Sequence, residues 1–173
     1  MDTENASVCN LLANALQYPR PQQLARLERD LQALPNNGLR MSIAAFLSKV
    51  HHLSLGEWEE LHTRTLDLNP PIAPYIGYQT WGESYQRGAF LARMARQLYE
   101  NGVNPEGELP DHLAVILRYL AQAQTPIPEL LEVFHPAVQR MLAALRAAEP
   151  TNPYVDLIEA VQALAIQIHK EAV

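Results

Sequence analysis

Apolar residues recur at helical spacing through almost the whole chain, and this periodicity limits the fold more than any other feature. No segment shows the convincing two-residue alternation of a half-buried strand. The pattern therefore predicts an all-α protein, a single-domain bundle of about seven to nine helices spanning residues 1–173. The clearest stripes are Val8, Leu11, Leu12 and Ala15, then Leu113, Ile116, Leu117 and Leu120, then Leu157, Val161, Leu164 and Ile168.

Capping residues and prolines divide this pattern into helices. Ser54 with Glu57 has the spacing of a capping box for a helix to about Leu66, and Gly102 is expected as the left-handed C-cap of a long helix beginning near Trp81. Proline at a first helical position lacks only an N–H that would be unpaired anyway. The other signals are breaks at Pro19 with Pro21 and at Pro35 with Asn36, Asn37 and Gly38, and helix starts at Pro110, Pro128, Pro136 and Pro153, the last after a capping Asn152.

Charge and composition exclude several classes of function. The balance of 13 basic against 19 acidic residues gives a formal net charge of −6, the wrong sign for neutralising nucleic-acid phosphates. No stretch approaches the roughly 18 apolar residues of a membrane span, and the acidic start MDTENASVCN lacks the basic region of a secretory signal. The one cysteine, Cys9, excludes an internal disulfide. We expect a soluble cytoplasmic protein that neither binds nucleic acid nor inserts into a membrane.

The most enzyme-like signal is a pair of Glu-x-x-His spacings, Glu59 with His62 and Glu132 with His135. Such pairs on facing helices supply ligands in carboxylate di-iron bundles, so a helical metalloprotein is an alternative. That site needs both pairs within regular helices, and Pro136 directly after His135 disfavours helical geometry there. The GxSxG, GxxxxGK[ST], GxGxxG and HExxH patterns are also missing, so we expect no catalytic residues, no metal and no cofactor.

Two proline-rich segments are predicted to be loops that flank the long helix, residues 67–78 and residues 104–111. Binding residues are often found on loops, so these are the candidate functional segments. Four aromatic residues near the end of the first loop recur at spacings of three, three and four, which fits one helical face: Tyr75, Tyr78, Trp81 and Tyr85. They either pack in the core or form a partly exposed wall for an apolar or helical peptide.

The long helix itself carries structural signals. Gly88 lies inside it, where glycine costs about 1 kcal/mol relative to alanine. Ala92 and Ala95 share its face, so the three residues are predicted to form a smooth strip that lets another helix approach closely. Glu83 stands four residues before Arg87, the favoured order for an ion pair.

The end of the second loop offers a polar pair. If the next helix begins at Pro110, Asp111 lies in its first turn, where a carboxylate meets the positive end of the helix dipole. His112 has no structural role of similar quality, and the pair is a candidate polar contact for a partner.

Two linked motifs at these positions resemble those of the TorD/DmsD/NarJ family of redox-enzyme maturation chaperones, nearest the nitrate-reductase delta-subunit branch. The first is Gly82-Glu83-Ser84-x-x-Arg87-Gly88, and the second is Glu108-Leu109-Pro110-Asp111-His112-Leu113. Outside them, LLANALQYPRP at residues 11–21 is similar to the family's opening helix and turn, and Asn152-Pro153-Tyr154 is similar to the start of its last helix. The chain departs from the nitrate branch at Thr80, Trp81 and His112.

The resemblance implies a TorD-like, all-helical cytoplasmic chaperone. Such a protein binds the N-terminal or twin-arginine-type peptide of a molybdenum oxidoreductase catalytic subunit and holds that subunit until cofactor insertion is complete. It would be a monomer or a helix-swapped homodimer, and a subunit retained in the mature complex is a further alternative. The expected client-peptide residues are Tyr75, Tyr78, Trp81, Glu108, Pro110, Asp111 and His112, and the expected structural motif residues are Gly82, Glu83, Ser84, Arg87, Gly88 and Leu109.

Overall fold

The regular elements of the chain are helical, as the periodicity predicts. The computed structural model describes residues 3–35 and 37–172, which leaves Met1, Asp2 and Asn36 of the predicted signals outside the described residues. Within these residues there are nine α-helices: α1 (Thr3–Ala15), α2 (Gln23–Gln32), α3 (Gly38–Val50), α4 (Leu55–His62), α5 (Ile76–Trp81), α6 (Tyr85–Glu100), α7 (Leu113–Gln122), α8 (Pro128–Ala148) and α9 (Tyr154–Ala172). The all-α prediction is confirmed.

The helix α4 begins and ends as its capping residues indicate. The Ser54 hydroxyl accepts from the backbone N–H of Glu57 at 3.2 Å, and the Glu57 carboxylate accepts from the backbone N–H of Ser54 at 2.7 Å. The predicted end near Leu66 is also close, because a π-helix, Thr63–Asp67, continues α4 past His62. Single π-turns of this kind frequently occur at functional sites.

The C-terminal cap of α6 is the left-handed one that Gly102 predicts. Gly102 has φ +67°. Its N–H bonds to the carbonyl of Tyr99 at 3.2 Å, and the N–H of Val103 bonds to the carbonyl of Leu98 at 2.8 Å. These two bonds form a complete Schellman motif.

The start of the predicted long helix is wrong. The first loop ends early, because α5 already begins at Ile76, and a break then separates α5 from α6. Gly82 causes the break, since its φ of +63° and ψ of −155° belong to a region that only glycine adopts readily. Ser84 restarts the chain as the N-cap of α6, with its hydroxyl accepting from the N–H of Arg87 at 3.3 Å.

Two of the four predicted proline starts are also wrong. Pro128 does open α8, and α9 begins one residue after Pro153. Pro136, however, lies inside α8, so His135 is helical after all. The apolar face of α8 is buried on both sides of this proline, and that burial offsets the lost backbone hydrogen bond. Pro110 lies before α7, which begins at Leu113.

The core is built around α7, which is buried along most of its length and whose first five residues are all apolar and buried. Helix α1 packs against α7, while α9 packs against both α8 and α3. Cys9 of α1 is fully buried, and burial raises the pKa of its thiol to about 12. That placement agrees with a packing role. No helix among residues 3–35 and 37–172 is both long enough and apolar enough to cross a membrane.

The predicted close-packing strip on α6 is wrong. Gly88, Ala92 and Ala95 are all exposed, and a Cβ added at Gly88 would meet nothing within 4 Å. The buried stripe of α6 runs through Arg87, Phe90, Met94 and Leu98 instead. Because Arg87 is drawn inward, the helix turns its small residues toward solvent. No contact among residues 3–35 and 37–172 explains the glycine at position 88.

Replacing each of the two motif glycines by alanine should change the free energy of unfolding in opposite directions. We expect Gly82→Ala to lower the free energy of unfolding by about 1 to 3 kcal/mol, because its backbone conformation is strained for any other residue. We expect Gly88→Ala to raise it by about 0.5 to 1 kcal/mol, because alanine is the better helix former and the space is open. Urea denaturation measures both. Equal effects for the two variants would contradict this assignment.

Candidate functional site

The two segments predicted to carry function meet through backbone hydrogen bonds. The N–H of Ile76 bonds to the carbonyl of Asp111 at 2.9 Å, and the N–H of Leu113 bonds to the carbonyl of Pro74 at 2.7 Å. Together they form an isolated antiparallel bridge between Tyr75 and His112. The start of α5 and the start of α7 are therefore held side by side.

A buried ion pair joins the two sequence motifs beneath this bridge. Arg87 donates from Nε to Asp111 at 3.0 Å and from Nη2 to the other carboxylate oxygen at 3.4 Å. Its Nη1 donates to Glu83 at 2.8 Å, so the predicted pair between residues 83 and 87 is confirmed. Asp111 is fully buried, and the guanidinium carbon of Arg87 lies 5.7 Å from the ring centre of Tyr75 and 5.4 Å from that of Tyr78. Cations over aromatic faces in this way are stabilised further.

A glycine that the sequence analysis overlooked makes room for this ion pair. A Cβ on Gly77 of α5 would lie 2.8 Å from a carboxylate oxygen of Asp111 and 3.2 Å from the Arg87 side chain. No side chain fits there without displacing the pair. Gly77 is therefore required by the approach of Asp111, and only the folded contact reveals it.

Several predicted site residues have placements that differ from the sequence interpretation. Asp111 lies before α7 rather than in its first turn, and the ion pair closes its carboxylate off from solvent. His112 does have a structural role, because it is the N-cap of α7 and its Nδ1 accepts from the N–H of Ala114 at 3.2 Å. Trp81 packs on Phe90 with ring centres 5.2 Å apart. Tyr78 and Trp81 thus support the fold beside the site.

Other predicted residues line a common pocket of about 210 Å³. Tyr75, Glu108 and His112 face it from the two bridged segments. The remaining lining residues come from the segment after α1, the end of α4 with its π-helix, the second loop and α7: Tyr18, Arg20, His62, Asp67, Glu106 and Arg118. Pro110 is half-buried, and Leu109 is exposed at the neighbouring surface.

His62 forms part of the pocket wall through a buried hydrogen-bond chain. The indole N–H of Trp58 donates to the Tyr154 hydroxyl at 3.1 Å, and that hydroxyl lies 2.9 Å from Nδ1 of His62. Burial lowers the pKa of His62 to about 4, although the negative charge of Glu108 opposes the shift. The ring of Tyr18 stands edge-on to His62, with centroids 5.5 Å apart. His62 is therefore neutral at physiological pH.

His112 has a parallel environment. Burial lowers its pKa to about 4 against the charge of Asp111, and charges on His62 and Arg118 lower it further. The ring of Tyr75 covers His112 with centroids 5.2 Å apart. The pocket thus contains two neutral imidazoles, each beside a tyrosine.

The acidic side chains of the pocket differ in whether a basic side chain pairs with them. Glu106 pairs with Arg118 at 3.0 Å and accepts from Gln17 at 3.0 Å. Asp67 and Glu108 have no Arg or Lys partner among residues 3–35 and 37–172. Burial and the charge of Glu108 both raise the pKa of Asp67. Arg20 also lines the pocket, so the three carboxylates of the pocket exceed its two guanidinium groups by one negative charge.

Three exposed apolar side chains lie in this polar pocket or next to its lining residues in the chain. Tyr18 is 47% exposed and lines it directly. Leu68, 74% exposed, and Leu109, 46% exposed, directly follow the pocket residues Asp67 and Glu108 in the chain. Large exposed apolar groups around a polar centre are typical of a surface that binds another chain.

The two histidines predict how stability depends on pH. Both pKa values lie near 4 in the folded protein and near 6.5 in the unfolded chain, so the unfolded state binds more protons between these values. The free energy of unfolding therefore falls as the pH drops from about 6.5 toward 4. The loss is up to about 3 kcal/mol for each histidine. Urea denaturation across this range measures it. His112→Asn should flatten the profile, and the exposed His52→Asn should not.

The metalloprotein alternative finds no support in the geometry. Among the described residues, no group of three or more His, Cys, Asp or Glu side chains is placed to hold a metal ion. His62 is bonded to Tyr154, and Glu132 is exposed on α8.

The fold of this chain matches that of a solved helical protein. A crystal structure described as that of a redox enzyme maturation protein from Archaeoglobus fulgidus superposes with a TM-score of 0.63, covering 94% of this chain and 93% of that chain at 20% identity. Residues 1–158 match the family described as nitrate reductase delta subunit. The chain belongs to the nitrate reductase delta subunit family.

A curated relative is similar over most of both chains. The probable nitrate reductase molybdenum cofactor assembly chaperone NarJ of Bacillus subtilis (strain 168) is 26% identical over 126 residues, which is 70% of this chain and 68% of that protein. The family is one of assembly chaperones and not of enzymes. The resemblance carried by the two motifs is confirmed.

Proposed function

We propose that this protein is a cytoplasmic assembly chaperone that holds the N-terminal segment of a molybdenum oxidoreductase catalytic subunit until its cofactor has been inserted. Membership of the nitrate reductase delta subunit family supports the general role. The observation that supports the binding site is the pocket between the two bridged motif segments, with uncompensated acidic groups inside and exposed apolar groups around it.

The chemistry of the pocket favours one kind of peptide. Asp67 and Glu108 suit a lysine or arginine side chain, because a basic group would neutralise carboxylates that lack a cation partner. Tyr18, Leu68 and Leu109 suit apolar residues on either side of that basic group. An N-terminal or twin-arginine-type peptide, helical or extended, combines both features.

The size of the pocket agrees with a peptide better than with a small-molecule substrate. At about 210 Å³ it is smaller than the roughly 300 to 1,000 Å³ of most small-molecule sites. It has room for one or two side chains. The rest of the peptide would then lie on the apolar surface around the opening.

Co-purification from the native host tests this function. We expect the tagged chaperone to retain a catalytic subunit that lacks its molybdenum cofactor, and we expect the finished enzyme to contain none of the chaperone. Molybdenum analysis of the retained subunit distinguishes the two forms. Recovery of the chaperone in stoichiometric amounts with the active enzyme would contradict a transient role and identify a retained subunit instead.

A further inference from the structure

Two buried histidines line the same pocket, and in each of them one ring nitrogen makes no hydrogen bond to the described residues. His62 is 5% exposed and His112 is 8% exposed, and both line the pocket. They are close enough for charge on His62 to lower the pKa of His112. Each ring uses Nδ1 within the fold, which leaves Nε2 for a bound molecule.

The donor and acceptor roles of the groups around His62 determine which of its ring nitrogens carries the proton. The indole nitrogen of Trp58 can only donate, so the Tyr154 oxygen accepts from it. The Tyr154 hydroxyl hydrogen then needs an acceptor in a buried site, and Nδ1 of His62 is 2.9 Å away. Neutral His62 therefore carries its proton on Nε2. The nearest carboxylate oxygen, on Asp67, lies 3.8 Å from that nitrogen, too far for a hydrogen bond.

The same reasoning applies to His112. Its Nδ1 accepts from the backbone N–H of Ala114, which is always a donor. Neutral His112 therefore also carries its proton on Nε2. That N–H has no hydrogen-bond partner among the described residues. Because no fully buried side-chain nitrogen or oxygen among the described residues lacks a hydrogen-bond partner, this Nε2 is open to the pocket and can donate to a bound molecule.

We infer that His62 and His112 form a paired donor site for a backbone carbonyl oxygen of the bound peptide. A neutral acceptor suits the pocket best, because its carboxylates on Asp67, Glu106 and Glu108 outnumber the guanidinium groups of Arg20 and Arg118 and the two neutral imidazoles add no positive charge. An amide oxygen accepts two hydrogen bonds and carries no net charge. Tyr154 is the positioning residue, since it holds His62 in the required tautomer.

This site rests on the proposed function, yet it can be tested without the client. The probe is N-acetyl-arginine N-methylamide, which has two amide carbonyls, and the comparison is agmatine, which has the same guanidinium group, one further positive charge on its amine and no carbonyl. Long-range ¹H–¹⁵N spectra of the free protein should show both histidines with the proton on Nε2. The amide probe should move both Nε2–H signals downfield, and agmatine should not.

One variant separates donation to the ligand from the structural role of His112. Asparagine is a strong N-cap, so His112→Asn keeps an acceptor for the N–H of Ala114, while its shorter amide no longer places a donor at the position of the imidazole Nε2. We expect about fivefold weaker binding of the amide probe, the effect of one neutral hydrogen bond of about 1 kcal/mol. The exposed His52→Asn is the control and should bind normally.

Several outcomes would overturn the inference. They are an Nδ1–H tautomer in the free protein, no shift with the amide probe, equal shifts with agmatine, or full affinity in His112→Asn. If any of these occurs while the wild-type protein still retains a catalytic subunit, the paired donor site fails and the chaperone function stands. If the amide probe binds as expected and no subunit is retained, the chaperone function fails instead.

Discussion

Asp111→Ala is expected to lower the free energy of unfolding by about 3 to 5 kcal/mol, the usual cost of leaving a buried charge without its partner. Arg87 would lose both hydrogen bonds to the carboxylate and keep only the exposed Glu83. Urea denaturation at neutral pH measures the loss. Glu83→Ala is the matched control, and we expect it to cost less than about 1 kcal/mol because that carboxylate is solvated. Similar losses in the free energy of unfolding for the two variants would contradict a stabilising role for the buried ion pair between Arg87 and Asp111.

A second variant shows whether the ion pair acts only through the fold. Replacing both partners, as Arg87→Met with Asp111→Leu, removes the unpaired charge and should recover most of the stability lost in Asp111→Ala. If this protein also recovers client binding, Asp111 acts by holding the two segments together. If it is stable and does not bind, Asp111 or Arg87 contacts the client directly.

Reversing the charge of the pocket is expected to give the largest loss of binding. In Asp67→Lys with Glu108→Lys, the basic side chain of the client would meet like charge, which costs several kcal/mol at an interface. We expect affinity for the N-terminal peptide of the retained catalytic subunit to fall at least about a hundredfold, a change of about 2.7 kcal/mol. Isothermal titration calorimetry measures it.

The chain offers a control with the same change in net charge. Glu59→Lys with Glu132→Lys alters two acidic residues outside the pocket. Its effect should be small and should disappear as salt is raised, because distant charges on the surface are screened. Equal losses in the two double variants would mean that binding depends on overall charge and not on this pocket.

Local signals in the sequence were sufficient for much of the helical architecture. The capping box at Ser54 and the Schellman cap at Gly102 each depend on residues within a few positions of one another, so both could be predicted. The break at Gly82 and the continuous helix through Pro136 were not predicted, for two different reasons. Burial keeps α8 continuous through its proline, whereas Gly82 adopts a conformation that no pattern of apolar residues reveals.

The site was only partly predictable for a similar reason. Tyr75, Glu108 and His112 belong to the predicted segments, and the bridge between residues 75 and 112 brings them together. Tyr18 and His62 come from distant parts of the chain, and nothing in their local sequence indicates that they share a pocket with Asp67, the first residue of a predicted loop. His62 was considered only as a metal ligand, because its bond to Tyr154 spans 92 positions.

Photocrosslinking tests most directly whether this pocket holds the N-terminal segment of the catalytic subunit. A benzoylphenylalanine in place of Tyr18 lies in the pocket and is partly exposed, and the same residue in place of Met41 lies on the exposed surface of α3. We expect irradiation in the native host to join position 18 to the first residues of a molybdenum oxidoreductase catalytic subunit, and to give no such product from position 41. Crosslinks to that segment from position 41 alone, or from neither position while the complex still co-purifies, would contradict the account.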